Sequence, residues 1–274
     1  MKNQGHIHHS QRYIKISYPI SVGQRVYSMI LVPLIIVAIV VAVLKLLPTT
    51  GFISPQMVSF PYLGQALIAT FLRILVAFIL SLILSIPLAL MVTRNALAER
   101  ILLPIFDIIQ SVPVLAFFPV VILFFVKFNF FEGAAIFILF LDMLWNIVFN
   151  VVGGIKVIPE DIKSAAHVFG IKGFAYVRKV ILPAILPHIV TGSLLAWAAG
   201  WNIVVVAEVI HTYLPSSIPA RDLFGIGSIL VNAAAGGHSS TFVAAILFMV
   251  LAIAFLNFFV WQKLLHYAER YKFE

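Results

Sequence analysis

The chain has 274 residues, of which 62% are hydrophobic and only 10% charged, with a formal net charge of +8 and no cysteine. A soluble domain carries about 25% charged residues, so the composition excludes an ordinary water-soluble enzyme, and the missing thiols exclude a disulfide framework or a thiolate metal centre. The surplus of positive charge fits either a nucleic-acid partner or a membrane topology signal, and its placement along the chain decides between them.

In chain order, a polar N-terminal tail contains Lys2, Arg12, Lys15 and Arg25, together with His6, His8 and His9. Those histidines have no partner cluster elsewhere and read as an unstructured tract, not a metal site. Six apolar stretches follow, near 29–47, 66–92, 101–126, 133–153, 185–210 and 240–262. Each reaches the roughly twenty residues that a bilayer crossing requires. The first lacks a small-residue cleavage pattern and is expected to be a retained helix. Lys45 and Arg73 are expected to snorkel to the outer interface. Tyr62, Trp261 and Tyr267 suit interfacial belts. Pro113 and Pro119 should open the third span locally, which is tolerated where neighbours or a watery cavity satisfy the freed carbonyls. The small residues Gly192, Ser193, Ala196, Ala198, Ala199 and Gly200 of the fifth span permit close packing, either within a bundle or across a two-fold interface.

The basic residues fix an orientation. Arg94 and Arg100 separate the second and third spans, Lys156, Lys163, Lys172, Arg178 and Lys179 the fourth and fifth, and Lys263, Arg270 and Lys272 follow the sixth. With the four in the N-terminal tail, this puts fourteen on one side against Lys127 and Arg221 on the other. Both termini and the 154–184 insert are therefore expected in the cytoplasm. The charge is topological, and no nucleic-acid partner is expected.

The insert reads as a helix–glycine–helix knob. Pro159 suits a first helical turn, with Glu160 and Asp161 placing negative charge at its positive end. Ala165 and Ala166 allow close approach of another surface, and Gly170 can end the helix in a left-handed conformation, with Gly173 a second soft point. Phe174, Val177 and Ile181 share one face of a second helix. An amphipathic connector lying on lipid headgroups would show the same pattern.

Three acids fall in or near the hydrocarbon: Asp107, close to the cytoplasmic rim, and the deeper Asp142 and Glu208. Such groups usually face a bundle interior or a pathway. Glu208 reads equally as a hydrogen-bonded anchor of the fifth span or as a pathway residue, and a pathway carboxylate would repel an anionic cargo. No GxxxxGK[ST] phosphate loop, HExxH or GxSxG motif occurs, and "FGIGSIL" at 224–230 lacks the third glycine of a dinucleotide fingerprint. No catalytic, metal or cofactor residue is expected in this chain.

Within the insert, Ala165-Ala166-x3-Gly170-x9-Val180-x-Leu182-Pro183 resembles the EAA loop of binding-protein-dependent ABC transporter permeases, with Ser164 where that family has its leading Glu. "QSVPVLAFFPVVILFF" at 110–125 and "AWAAGWNIVVVAEVI" at 196–210 resemble segments of the nitrate, sulfonate, taurine and bicarbonate branch. The resemblance covers about residue 62 to the end. It implies an all-α polytopic membrane protein with about six transmembrane helices, residues 1–61 forming a cytoplasmic tail and first helix and 62–274 the permease core. It further implies that Glu160, Ser164, Ala165, Ala166, Gly170, Val180, Leu182 and Pro183 couple to an ATPase. Pro113, Trp201, Asn202 and Glu208 would line a translocation pathway. The implied partners are two ABC ATPase subunits carrying ATP and Mg, a second permease subunit (identical or homologous), an extracytoplasmic solute-binding protein and membrane lipid. The implied location is a bacterial or archaeal cytoplasmic membrane, and the implied cargo a small solute such as nitrate, a sulfonate, taurine or bicarbonate. An ion-coupled secondary transporter or channel without an ATPase is the alternative.

Overall fold

The computed structural model describes residues 59–214 and 222–271. The expected first span, with Lys45, and the histidine tract lie outside the described residues. Among the described residues the regular structure is entirely helical. The principal helices are α1 (Phe60–Val92), α2 (Ala96–Ser111), α3 (Phe118–Val126), α4 (Phe131–Lys156), α5 (Glu160–Val168), α6 (Leu186–Ala207), α7 (Ile226–Ala235) and α8 (Ser239–Tyr271). Of these, α1, α4, α6 and α8 are each long and apolar enough to cross a membrane, and α2 with α3 is so only as a pair, bent by 74° at its break. The chain is a multi-pass membrane protein. At about 1.5 Å per residue, α1 is roughly 50 Å long, which exceeds the ~30 Å hydrocarbon layer and leaves turns projecting into the interface.

The core is built on α4, which lies along both α1 and α6. Its neighbours approach closely because they present small side chains. On α1 the buried positions Ala66, Thr70, Ala77, Ser81, Ser85 and Ala89 recur at helical spacing. There the Ser81 hydroxyl donates to the backbone oxygen of Phe140 across the interface at 2.9 Å. On α6, Gly192, Ala196 and Gly200 are buried at intervals of four. A Cβ at Gly192 would stand 2.8 Å from the Asn150 Cβ, and one at Gly200 would meet Met143 and Ile74. Thus the glycine–alanine stripe packs against α4 of its own chain, whereas Ala198 is exposed.

Three sequence expectations change. Pro119 opens nothing: it occupies the first turn of α3, where the missing N–H has no intrahelical acceptor to serve. The break falls at Pro113, after α2 ends at Ser111. Trp261 sits in no interfacial belt. A π-turn at Asn257–Trp261 shifts its register and buries it edge-on against Phe78 at 6.2 Å and beside Trp197 at 6.0 Å. Arg73 does not snorkel either; it is 5% exposed and paired within the bundle. By contrast, α8 buries little of its length and turns Leu251, Phe255 and Phe259 outward, as suits a lipid-facing helix.

Overfilling the α4–α6 seam should be costly. Gly192→Leu should lower the thermal midpoint of the detergent-solubilised protein by an amount equivalent to about 1–3 kcal/mol, while Ala198→Leu on the same helix should leave it unchanged. Intrinsic tryptophan fluorescence during heating measures both.

Candidate functional site

The insert folds as a knob beyond the basic end of the bundle, where α4 ends at Lys156 and α6 begins. Pro159 is the N-cap of α5, and Glu160 and Asp161 occupy its first turn. Glu160 accepts from the Lys163 ammonium at 3.1 Å, so the local ion pair comes from this turn and not from Ser164, which is exposed. The helix ends as a Schellman motif. Gly170 has φ 66°, its N–H donates to the His167 oxygen, and the Ile171 N–H donates to that of Ala166 at 2.9 Å. Gly173 also has positive φ, so the chain reverses twice within four residues. The second arm is a short helix at Gly173–Tyr176, a π-turn at Val177–Ile181, and a further turn at Leu182–Ala184.

The two alanines have different roles. Ala166 is buried in the knob, while Ala165 is exposed beside it. Phe174, Val177 and Ile181 do not share a face, because the π-turn rotates the last of them inward: Phe174 is 79% exposed and Ile181 is buried. Val168 and Phe169 are equally exposed, so the end of α5 and the second arm present three large apolar side chains to the outside. Leu182 packs on the bundle core, and Val180 and Pro183 line a groove with Ile162, Lys179, Arg270 and Tyr271. The knob therefore has an apolar crown and a fixed root. A Lys156–Glu99 ion pair at 2.5 Å ties the nearby end of α4 to α2.

The buried charges gather at the opposite end of the bundle. Glu208, directly after α6, has no exposed surface. One carboxylate oxygen accepts from the Thr70 hydroxyl at 2.7 Å and from the Arg73 guanidinium, and the other from the Gly227 N–H at 2.8 Å and the Ser228 N–H. Thr70 accepts in turn from the Ile226 N–H at 2.9 Å. Two side chains from other helices thus cap the first three amides of α7, and the carboxylate lies at that helix's positive end. Arg73 completes the cluster with a bidentate pair to Glu132 at 2.7 and 2.8 Å. The glycines of "FGIGSIL" now have a physical reason: a Cβ on Gly225 would collide with the Glu208 carboxylate, and one on Gly227 would lie 2.8 Å from its oxygen.

A third arrangement surrounds the broken span. Gln110, Pro113, Val114 and Phe117 face Asp142, Trp145 and Asn146 of α4 across a cleft of about 270 Å³. Asp142, Asn146 and Asn150 form a polar stripe at intervals of four, with the Asn146 amide donating to the Asp142 backbone oxygen and the Asn150 amide to that of Asn146.

The four expected pathway residues are not brought together. Of them only Pro113 lines this cleft. Asn202 is exposed on α6, Trp201 is buried with its indole N–H unpaired among the described residues, and Glu208 is enclosed in the ionic cluster. The geometry of Glu208 matches the anchoring alternative.

The family model for the inner membrane component of binding-protein-dependent transport systems matches residues 81–262. The chain belongs to this family. Among curated relatives, the nitrate import permease protein NrtB of Leptolyngbya laminosa is 30% identical over 189 residues, covering 69% of this chain and 63% of that protein. The bicarbonate transport system permease protein CmpB of Synechococcus elongatus is 28% identical, over 70% of this chain and 65% of its own length. The taurine transport system permease protein TauC of Escherichia coli is 29% identical, over 61% of this chain and 58% of its own length. The chain thus spans less than two thirds of each of these relatives. The family match contains the knob, the broken span and Glu208 but begins after Thr70 and Arg73.

Two features of this family member escaped sequence reasoning. The Arg73–Glu208 pair joins residues 135 positions apart, and no local pattern encodes such a partner. The Asp142/Asn146/Asn150 stripe was legible as polar residues at i, i+4 and i+8 within an apolar run.

Two outcomes follow from the electrostatics. Arg73→Met leaves Glu208 buried without its counter-charge and should cost about 3–5 kcal/mol, while Arg73→Met with Glu208→Gln should be milder than the summed single effects. A double-mutant cycle of thermal midpoints measures the coupling. In the loop before α7, burial opposes ionisation of Asp222, but hydrogen bonds from the His211 ring, the Asn232 amide and the His211 N–H outweigh it and hold its pKa below the ordinary carboxylate value. A depressed folded pKa stabilises above the unfolded value of about 3.9 and is lost as pH falls through the folded value. Hydrogen exchange at 222–225, corrected for intrinsic rates, should therefore accelerate on acidification below about pH 4, and Asp222→Asn should abolish that pH dependence.

Proposed function

We propose that this chain is the non-catalytic, membrane-spanning permease subunit of an ABC importer in the cytoplasmic membrane of a bacterium or archaeon. Two ATPase subunits, holding ATP and Mg, engage the knob, a second permease subunit (identical or homologous) completes the pathway, and an extracytoplasmic binding protein delivers a small solute. In this reading the four long apolar helices, the bent α2–α3 pair as a further crossing and the apolar stretch at 29–47 as the first make six spans with both termini cytoplasmic, in the orientation favoured by the basic residues.

The observation that carries this reading is the apolar crown. Val168, Phe169 and Phe174 are 85%, 80% and 79% exposed on a knob whose flanks are basic, outside the expected hydrocarbon layer. Large apolar side chains exposed beyond the bilayer mark an interaction surface, and the small, exposed Ala165 on the same knob allows close approach. The Schellman turn and the buried Ala166 make the knob rigid enough to transmit a push from the nucleotide-driven partner to α6 through Leu182 and Pro183. The energy of switching comes from differential binding of partners to the two states of the permease. Relatives named for nitrate, bicarbonate and taurine transport support a small polar cargo.

Affinity purification of the chain from membranes should bring down a P-loop ATPase. Phe169→Glu with Phe174→Glu should reduce its recovery at least about tenfold, as for two lost aromatic anchors, with membrane insertion and thermal midpoint unchanged. Absence of an ATPase from the wild-type complex would reject the importer and favour the ion-coupled alternative. Undiminished recovery with the double variant would reject the knob as the docking element.

A further inference from the structure

The cleft beside the broken span differs chemically from the other polar surfaces of the molecule. Asp142 lies at midlength on α4 and its carboxylate makes no hydrogen bond or ion pair among the described residues, in contrast to the fully engaged Glu208. None of the cleft-lining residues is Lys, Arg or His. Both amides lining it already use a donor on the protein: Gln110 donates to the Asp107 carboxylate at 3.2 Å and Asn146 to the Asp142 backbone oxygen at 3.1 Å. Their side-chain oxygens and the Asp142 carboxylate are left as acceptors, and the donors left, the second N–H of each amide and the Trp145 indole N–H, are all uncharged. Trp145 and Phe117 add aromatic surface.

An oxoanion offers only acceptors and negative charge, so it meets repulsion from Asp142 here and only uncharged donors to replace its water. A cation or an N–H-bearing ring meets a carboxylate, two amide oxygens and aromatic faces, the combination that attracts ammonium and protonated heterocycles. We infer that the cleft formed by Gln110, Pro113, Phe117, Asp142, Trp145 and Asn146 is a dwelling site on the transport path, selective for a small organic amine or protonated nitrogen heterocycle over a simple oxoanion. This inference rests on the transport function proposed above and specifies its cargo class. At about 270 Å³ the cleft has room for a one-ring solute.

Because the chain has no cysteine, single cysteines read the cleft directly. Phe117→Cys and Val114→Cys lie in its lining, and Ala235→Cys, exposed at the end of α7, serves as reference. The membrane-embedded protein is treated with a cationic trimethylammonium-ethyl or an anionic sulfonato-ethyl methanethiosulfonate. The cation-to-anion rate ratio should be about tenfold higher in the cleft than at the reference, the size expected for one carboxylate some 6 Å away through water. Asp142→Asn should return the ratio to the reference value. Millimolar benzylammonium should slow labelling in the cleft, and nitrate and taurine should not. A charge-blind cleft, two cleft cysteines that no reagent reaches, or protection by nitrate would each overturn the inference. Failure to recover an ATPase sinks the importer reading while leaving this ratio measurable, so the two failures are distinguishable.

Discussion

A charged side chain placed in hydrocarbon must find its counter-charge and hydrogen bonds within the protein, because no water is available to supply them. Glu208 meets that constraint with four donors from two separate parts of the chain, α1 and the start of α7, and Arg73 meets it with two carboxylates. The consequence is mechanical. The Arg73 level of α1, the first turn of α4, the end of α6 and the start of α7 are pinned to one another, since sliding any of them would strand a charge. Apolar packing alone would not impose this, because one aliphatic surface slides past another, or past lipid, at little cost. The small residues facing α4 then set how closely the pinned helices approach.

The molecule consequently has one locked end and one end that presents an exposed knob. At the locked end, backbone amides, a buried guanidinium and tightly fitted glycines enclose the carboxylate. At the other, a nine-residue helix closed by a left-handed glycine stands away from the bundle and exposes its apolar side chains. Between them the α2–α3 pair is bent by 74°. The knob joins α6 at its near end, while the far end of the same helix is held by Glu208.

The membrane-depth acids Glu208 and Asp142 show how environment assigns roles to one functional group. Glu208 has its lone pairs taken up by Thr70, Arg73 and the α7 amides, which leaves nothing to offer a solute. Asp142, on a helix with a polar stripe and beside a proline break, keeps its acceptor capacity for whatever enters the cleft. Depth in the hydrocarbon is therefore insufficient to identify a pathway residue; the number of intramolecular partners decides.

The sequence by itself determined what is periodic or local. Apolar run length defined the crossings, the charge asymmetry gave an orientation, and Gly170 announced the left-handed end of α5 because a side chain there would be strained. It could also separate the knob from the spans, since only a short polar stretch with glycines and prolines interrupts the apolar pattern. Tertiary structure alone decided the partners of Arg73, read from sequence as a surface anchor, because its counter-charges lie at positions 132 and 208. It alone placed Ala166 inside the knob, and it turned Ile181 and Trp261 inward, since two π-turns change the register that an ideal helix would keep. The physical reason is common to all of these: helical period and turn chemistry are written in neighbouring residues, whereas satisfaction of a buried charge and the filling of a seam depend on residues that meet only when the chain has folded.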